Sequence, residues 1–222
     1  RLGAKEAVPH LLKLLEHKDS WVVGSAAEAL GRLGAKEAVP HLLKLLEHKD
    51  SWVVGSAAEA LGRLGAKEAV PHLLKLLEHQ DFKVVESAAE VLGRLRAKEA
   101  VPHLLKLLEH QDFKVVESAA EVLGRLGAKE AVPHLLKLLE QNQNQFVEVT
   151  KIKARFALSK IGKDAVIPLF NALQKDKLLR FQAPSIFINM TEDAIPSLVE
   201  IFLQDHDLYI SFLFYRKVEG EE

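Results

Sequence analysis

Nine of the ten histidines stand in two ladders, His10, His41, His72, His103 and His134, and His17, His48, His79 and His110, each recurring every thirty-one residues. Imidazoles at a fixed spacing are the material of a metal site. The spacing here argues against one. Within one copy the two histidines are seven residues apart, about 10 Å along a helix axis, which is too far for a shared ion. Equivalent histidines of adjacent copies would be a helix-packing distance apart, roughly 8 to 10 Å. Solvated surface histidines are the expectation, and no metal is implied.

Other chemistry is as sparse. Glu28, Glu59, Glu90 and Glu121 form a column that reads as a solvated helix face. Gly-rich phosphate loops and local Ser-His-Asp signatures are both missing from the sequence. With zero cysteines, disulfides, thiolate zinc sites and cysteine nucleophiles drop out together. The chain reads as a non-enzyme that needs no cofactor. Thirty basic and thirty-one acidic residues, mixed in every copy, leave no basic stripe for nucleic acid. No apolar run is long enough to span a bilayer and no signal segment opens the chain, so a cytoplasmic protein away from membranes is expected. What remains is the pair Trp21 and Trp52, whose chemistry is contact.

The elements that must position these residues follow from the repeat. Residues 1 to 31 and 32 to 62 are identical, and further copies follow at the same period with few changes. A repeat of this size is one supersecondary unit that must share its core with its neighbours, which makes the chain a solenoid. In the first copy Leu11, Leu12, Leu14 and Leu15 give the apolar stripe of a helix A, about Lys5 to His17, with Pro9 in its first turn. Asp19 is placed to cap a helix B, about Ser20 to Leu33, whose Val22, Ala26 and Leu30 face inward. Gly34 supplies a left-handed stop, and Arg96 takes that place in a later copy.

Helix A starts recur near Lys5, Lys36, Lys67, Lys98, Lys129, Lys163 and Thr191, which predicts about seven hairpins. Residues 1 to 140 are near-identical repeats; residues 141 to 222 are degenerate repeats and a C-terminal cap of the same solenoid. The stretch QNQNQF after Glu140 predicts a loop or an extra turn, and Pro184 predicts a kinked or split helix. The apolar segment Leu208 to Tyr215 predicts a terminal helix packed on the sixth repeat, followed by a solvated tail from Glu219. The chain opens at Arg1-Leu2-Gly3, mid-repeat and without Met, so part of a longer protein is expected.

The pattern Gly3, Ala7-Val8, Leu11-Leu12-Lys13, Leu15, Asp19, Val22, Ala26-Ala27-Glu28-Ala29-Leu30-Gly31 resembles the short HEAT-like repeats of the phycobilisome-lyase type, and artificial proteins built on that consensus. The resemblance implies an all-α, right-handed superhelix of hairpins. In that family an arginine follows the helix B valine and ladders with aspartates, whereas Val23, Val54, Val85 and Val116 stand there here. An apolar contact between repeats is expected in its place. HEAT-like repeats include an iron enzyme, deoxyhypusine hydroxylase, with His-Glu ligand pairs; here the order is Glu-His throughout, as in Glu16-His17.

Comparing the copies with one another locates a surface. Between the second and third, Lys49, Ser51, Trp52, Gly55 and Ala60 become Gln80, Phe82, Lys83, Glu86 and Val91. Most of these cluster at the start of helix B, the face that the resemblance places on the concave side. The expected partner-binding residues are Trp21, Gly24, Ser25 and Glu28 in the first copy, and Trp52, Gly55, Ser56 and Glu59 in the second. Phe82, Lys83, Glu86 and Glu90 continue the face in the third copy, and Phe113, Lys114, Glu117 and Glu121 in the fourth. The competing reading is that the aromatics only cover the seams between repeats. The reading adopted is a noncatalytic protein- or peptide-binding scaffold. Two alternatives are the sensor arm of a longer nucleotide-hydrolysing signalling protein and a bilin lyase-type subunit. The identical copies are also compatible with an engineered array, and the N-terminal repeat, lacking a polar cap, is an expected point of self-association.

Overall fold

A computed structural model describes residues 5–140, 147–175 and 177–219; the QNQNQF segment, read as a loop or an extra turn, and the residues after Glu219 lie outside the described residues. All regular structure among them is helical. The chain divides into two compact units, residues 1–104 and 105–222. The compositional change at residue 140 is a different boundary from this one.

The first unit contains α1 (Val8–Leu14), α2 (Ser20–Leu33), α3 (Val39–Leu45), α4 (Ser51–Leu64), α5 (Val70–Leu76) and α6 (Phe82–Arg94), and α7 (Val101–Leu107) spans the boundary. Helix A is shorter than expected. Lys5–Ala7 winds as a 3-10 turn: Pro9 has no N–H to donate to the Lys5 carbonyl, so the i to i−4 bond that would extend the α-helix backwards cannot form. At the other end Leu15, Glu16 and His17 donate to Leu12, Lys13 and Leu14, so the last turn tightens to 3-10 as well.

Helix B has the expected bounds, and the cap geometry explains them. The Trp21 amide donates to Asp19 Oδ1 at 2.9 Å, and the Trp52 and Lys83 amides do the same to Asp50 and Asp81. The cap itself is held by the preceding histidine, since the Asp19 amide donates to His17 Nδ1 at 3.1 Å, with the same bond at His48 and His79. These imidazoles fix the turn between the helices of a hairpin, which corrects their reading as merely solvated groups. In the other ladder, Nδ1 of His72, His103 and His134 is buried, so these rings are also not fully solvated. Helix B ends where Gly34 and Gly65 adopt φ of 70° and 68°. Arg96 is held at φ 57° in the same place, and α6 stops one residue earlier than α4 does.

Neighbouring helices B pack on one another, α2 on α4 and α4 on α6. The small residues decide how close they come: a Cβ on Gly31 would lie 2.7 Å from Ala60 Cα, so only glycine permits this approach. Leu30, Leu61 and Leu92 are fully buried, and Val23, Val54 and Val85 are 2%, 1% and 2% exposed, in keeping with the apolar seam expected of them. A polar ladder exists beside it. The Ser20 hydroxyl beside the Asp50 carboxylate, and Ser51 beside Asp81, face the cap of the next helix B and hold both carboxyls below the usual range.

The second unit continues with α8 (Phe113–Leu126), α9 (Val132–Glu140), α10 (Val147–Ile161), α11 (Lys163–Leu173), α12 (Lys177–Phe187), α13 (Ile195–Gln204) and α14 (His206–Glu219). Here α10 packs against α8, with Gly124 directly over Ala157. Pro184 does not split α12, which runs unbroken to Phe187 although the bond to the Arg180 carbonyl is lost at that position. The terminal helix is a second correction. It packs on α12 and α13, yet while Leu208 is buried, Ile210 and Phe214 are 62% and 70% exposed. Asp205 caps it, accepting from the Leu208 amide at 3.0 Å and from Arg180 at 2.8 Å.

Candidate partner-binding face

Trp21 and Trp52 occupy the second position of α2 and α4, where the cap turns the side chain away from the core. They are 68% and 48% exposed, and their rings stack with centroids 5.9 Å apart and planes 11° from parallel. Separations of this order are favourable for offset aromatic pairs. The Trp52 indole lies directly over Gly24, where a Cβ would collide with its ring nitrogen. Both readings of the tryptophans therefore hold in part: Trp52 covers the seam beneath it and still shows half its surface.

Two residues of the expected face are corrected. Gly24 is buried under that indole, and Ser56 is 8% exposed because the turn of α4 that carries it faces the neighbouring helices. Ser25, Glu28, Gly55, Glu59, Phe82, Glu86 and Glu90 are half-buried, and Lys83 is exposed.

The glutamate column is paired. Glu28 accepts from Arg32 one turn away, and Glu59 accepts from Arg94 of the next copy at 3.2 Å. In the second unit Glu121 accepts from Lys153 at 2.6 Å and Arg125 at 2.9 Å, and its carboxyl is held below the usual range by Lys153 first, against the opposing effect of burial. Thr150 donates to Glu117, Phe113 is half-buried and Lys114 is exposed. Two of these pairs, Glu59–Arg94 and Glu121–Lys153, join neighbouring helices B, while Glu28–Arg32 and Glu121–Arg125 lie within one helix.

A groove of about 480 Å³ opens in the first unit beside Trp52. Gly55 and Ser87, the acids Glu28, Glu59 and Asp81, and the cations Arg63 and Lys83 line it. The sequence reading missed Arg63 and Ser87. Arg63 stands in the same column as Arg32, and that periodicity would have found it. A second cavity of about 890 Å³ lies in the other unit between α11, α12 and α14, lined by Leu173, Pro184, Ile210, Phe214 and the Arg180–Asp205 pair. Among the described residues no three histidine, aspartate or glutamate side chains converge to hold a metal ion, and no helix is long and apolar enough to cross a membrane.

Set beside known proteins, the chain matches the family model for HEAT repeats over residues 1–62, 70–149 and 103–186, and that for the PBS lyase HEAT-like repeat over 53–79. Among solved structures it is similar to the complex of CpcE and CpcF of phycocyanin lyase from Nostoc sp. PCC7120, at 28% identity and a TM-score of 0.62 over 81% of this chain and 75% of that one. It also resembles an engineered protein at 24% identity, with a TM-score of 0.56 over 92% and 97% of the two chains. A designed armadillo repeat protein is similar at 19% identity, with a TM-score of 0.55 over 83% and 100%. No curated protein matches the chain.

Proposed function

We propose that this chain, which belongs to the HEAT repeat family, is a noncatalytic scaffold that binds a protein or peptide along the helix B face. The observation that carries the reading is the stacked pair Trp21 and Trp52, the two tryptophans of the chain, at 68% and 48% exposure. Rigid, half-wetted aromatics of this kind dominate interface energies because they bury much area at little entropic cost. The paired glutamates beside them hold the backbone in place without adding a free charge of their own. Binding then needs little rearrangement of the scaffold.

The test is an affinity measurement on a partner captured from the source cells, comparing the wild-type chain with the Trp21→Ala, Trp52→Ala double variant. A loss of at least tenfold is expected, on the order of 1.4 kcal/mol. Undiminished binding would remove the tryptophans from the contact surface.

A further inference from the structure

Copies one and two place an indole over a glycine: Trp52 covers Gly24 and stacks on Trp21. The repeat operation that carries Gly24 onto Gly55 carries Trp52 onto position 83, and there the sequence has lysine. Nothing then covers Gly55, whose Cβ would meet no atom nearer than Ser87 Oγ at 3.8 Å. The 480 Å³ groove opens at the place where a third ring would continue the stack. Its size is within the range of sites that take a bulky side chain.

The charges around it give the neighbour of that ring. Arg32 and Arg125 each pair with the glutamate four residues earlier. Arg63 makes no such pair: Glu59 instead accepts from Arg94 of the next copy, and Arg63 has no hydrogen bond or ion pair among the described residues. Lys83 adds a second exposed cation at the mouth. Of the carboxylates in the lining, Glu28 and Glu59 are bonded to Arg32 and Arg94 and Asp81 caps α6, so an incoming carboxylate would pair with Arg63.

We propose that the groove over Gly55 receives an aromatic side chain of a partner peptide, stacked against Trp52 as Trp52 stacks against Trp21, with an adjacent acidic residue paired to Arg63. The inference rests on the helix B face being the binding face and adds to it what is bound.

Fluorescence anisotropy with three labelled peptides tests it: phenylalanine flanked by glutamates, leucine flanked by glutamates, and phenylalanine flanked by lysines. The first should bind at least tenfold more tightly than either of the others. Lys83→Trp should cost it at least tenfold by placing an internal indole over Gly55, while Lys83→Ala keeps binding and Arg63→Gln erases the preference for glutamate over lysine flanks. Circular dichroism of Lys83→Trp should match the wild type, since the position is an exposed first-turn site. Equal binding of the leucine peptide, or an unaffected Lys83→Trp variant, overturns the aromatic site. Should Trp52→Ala abolish binding while Lys83→Trp does not, the binding face stands and this occupant falls. If none of the peptides binds at millimolar concentration, the occupant is likewise rejected.

Discussion

Single residues carry more structural work here than their repetition suggests. Arg96 sits at φ 57° where its counterparts are glycine, and a side chain in that region costs on the order of 1 kcal/mol. Arg96→Gly should therefore raise unfolding stability by about 1 kcal/mol in urea titrations, and Gly65→Ala should lower it by a similar amount. The histidine before each cap is a second case. His79→Ala removes the acceptor for the Asp81 amide and should cost about 0.5 to 1.5 kcal/mol, a loss that a purely solvated histidine would not show. That bond was not legible in the sequence, because a ladder of histidines looks the same whether its rings face water or a backbone amide. The caps were legible, because an aspartate before a helical stripe has a local job that needs no tertiary partner.

At the scale of the element, helix B is where local and tertiary demands meet. Its bounds follow from Asp19 and Gly34, both short-range signals, while the buried valines follow from packing against the next copy. Val54 is 1% exposed in the seam, so Val54→Arg should destabilise by about 3 kcal/mol or more, read by thermal and urea unfolding, since an unpaired charge would be buried. Unchanged stability would mean that the seam opens to water. Helix A departs from its expected span for a reason also visible in hindsight: the proline has no N–H to donate back one turn, and 3-10 bonds satisfy carbonyls that a longer α-helix would have used. In α14 the apolar pattern misled, because hydrophobicity records what a helix could bury and not whether anything covers it.

Across the whole molecule, stability should add copy by copy, as nearest-neighbour arrays do. Deleting residues 32–62 keeps the repeat in register and should leave helicity per residue unchanged in circular dichroism while lowering the urea midpoint. Acid should act through the caps that join the copies. Asp50 and Asp81 are held below the usual carboxylate range chiefly by the serine hydroxyl of the preceding copy; in Asp205, burial pushes upward but is outweighed by Arg180, the Leu208 amide and Gln174. With folded values depressed, this stabilisation is complete above the unfolded value of about 4 and fades as pH falls below it. Melting temperature should drop as the pH is lowered from 5 toward 3, roughly, and Asp81→Ala should flatten part of that slope. An acid profile identical in the variant would show that the Ser51–Asp81 link contributes nothing to folding.

The sequence by itself determined the hairpins, their period, their caps and the helix B face on which Trp21 and Trp52 appear, because each depends on residues a few positions apart. Only the tertiary structure decided that Trp52 rests on Gly24, that Ser20 and Ser51 tie one copy to the next, and that Arg94 takes Glu59 and leaves Arg63 beside an open groove. Those contacts join residues about thirty apart in the chain, and which partner a side chain chooses across a seam is set by the distance between helices, to which a repeating sequence is indifferent.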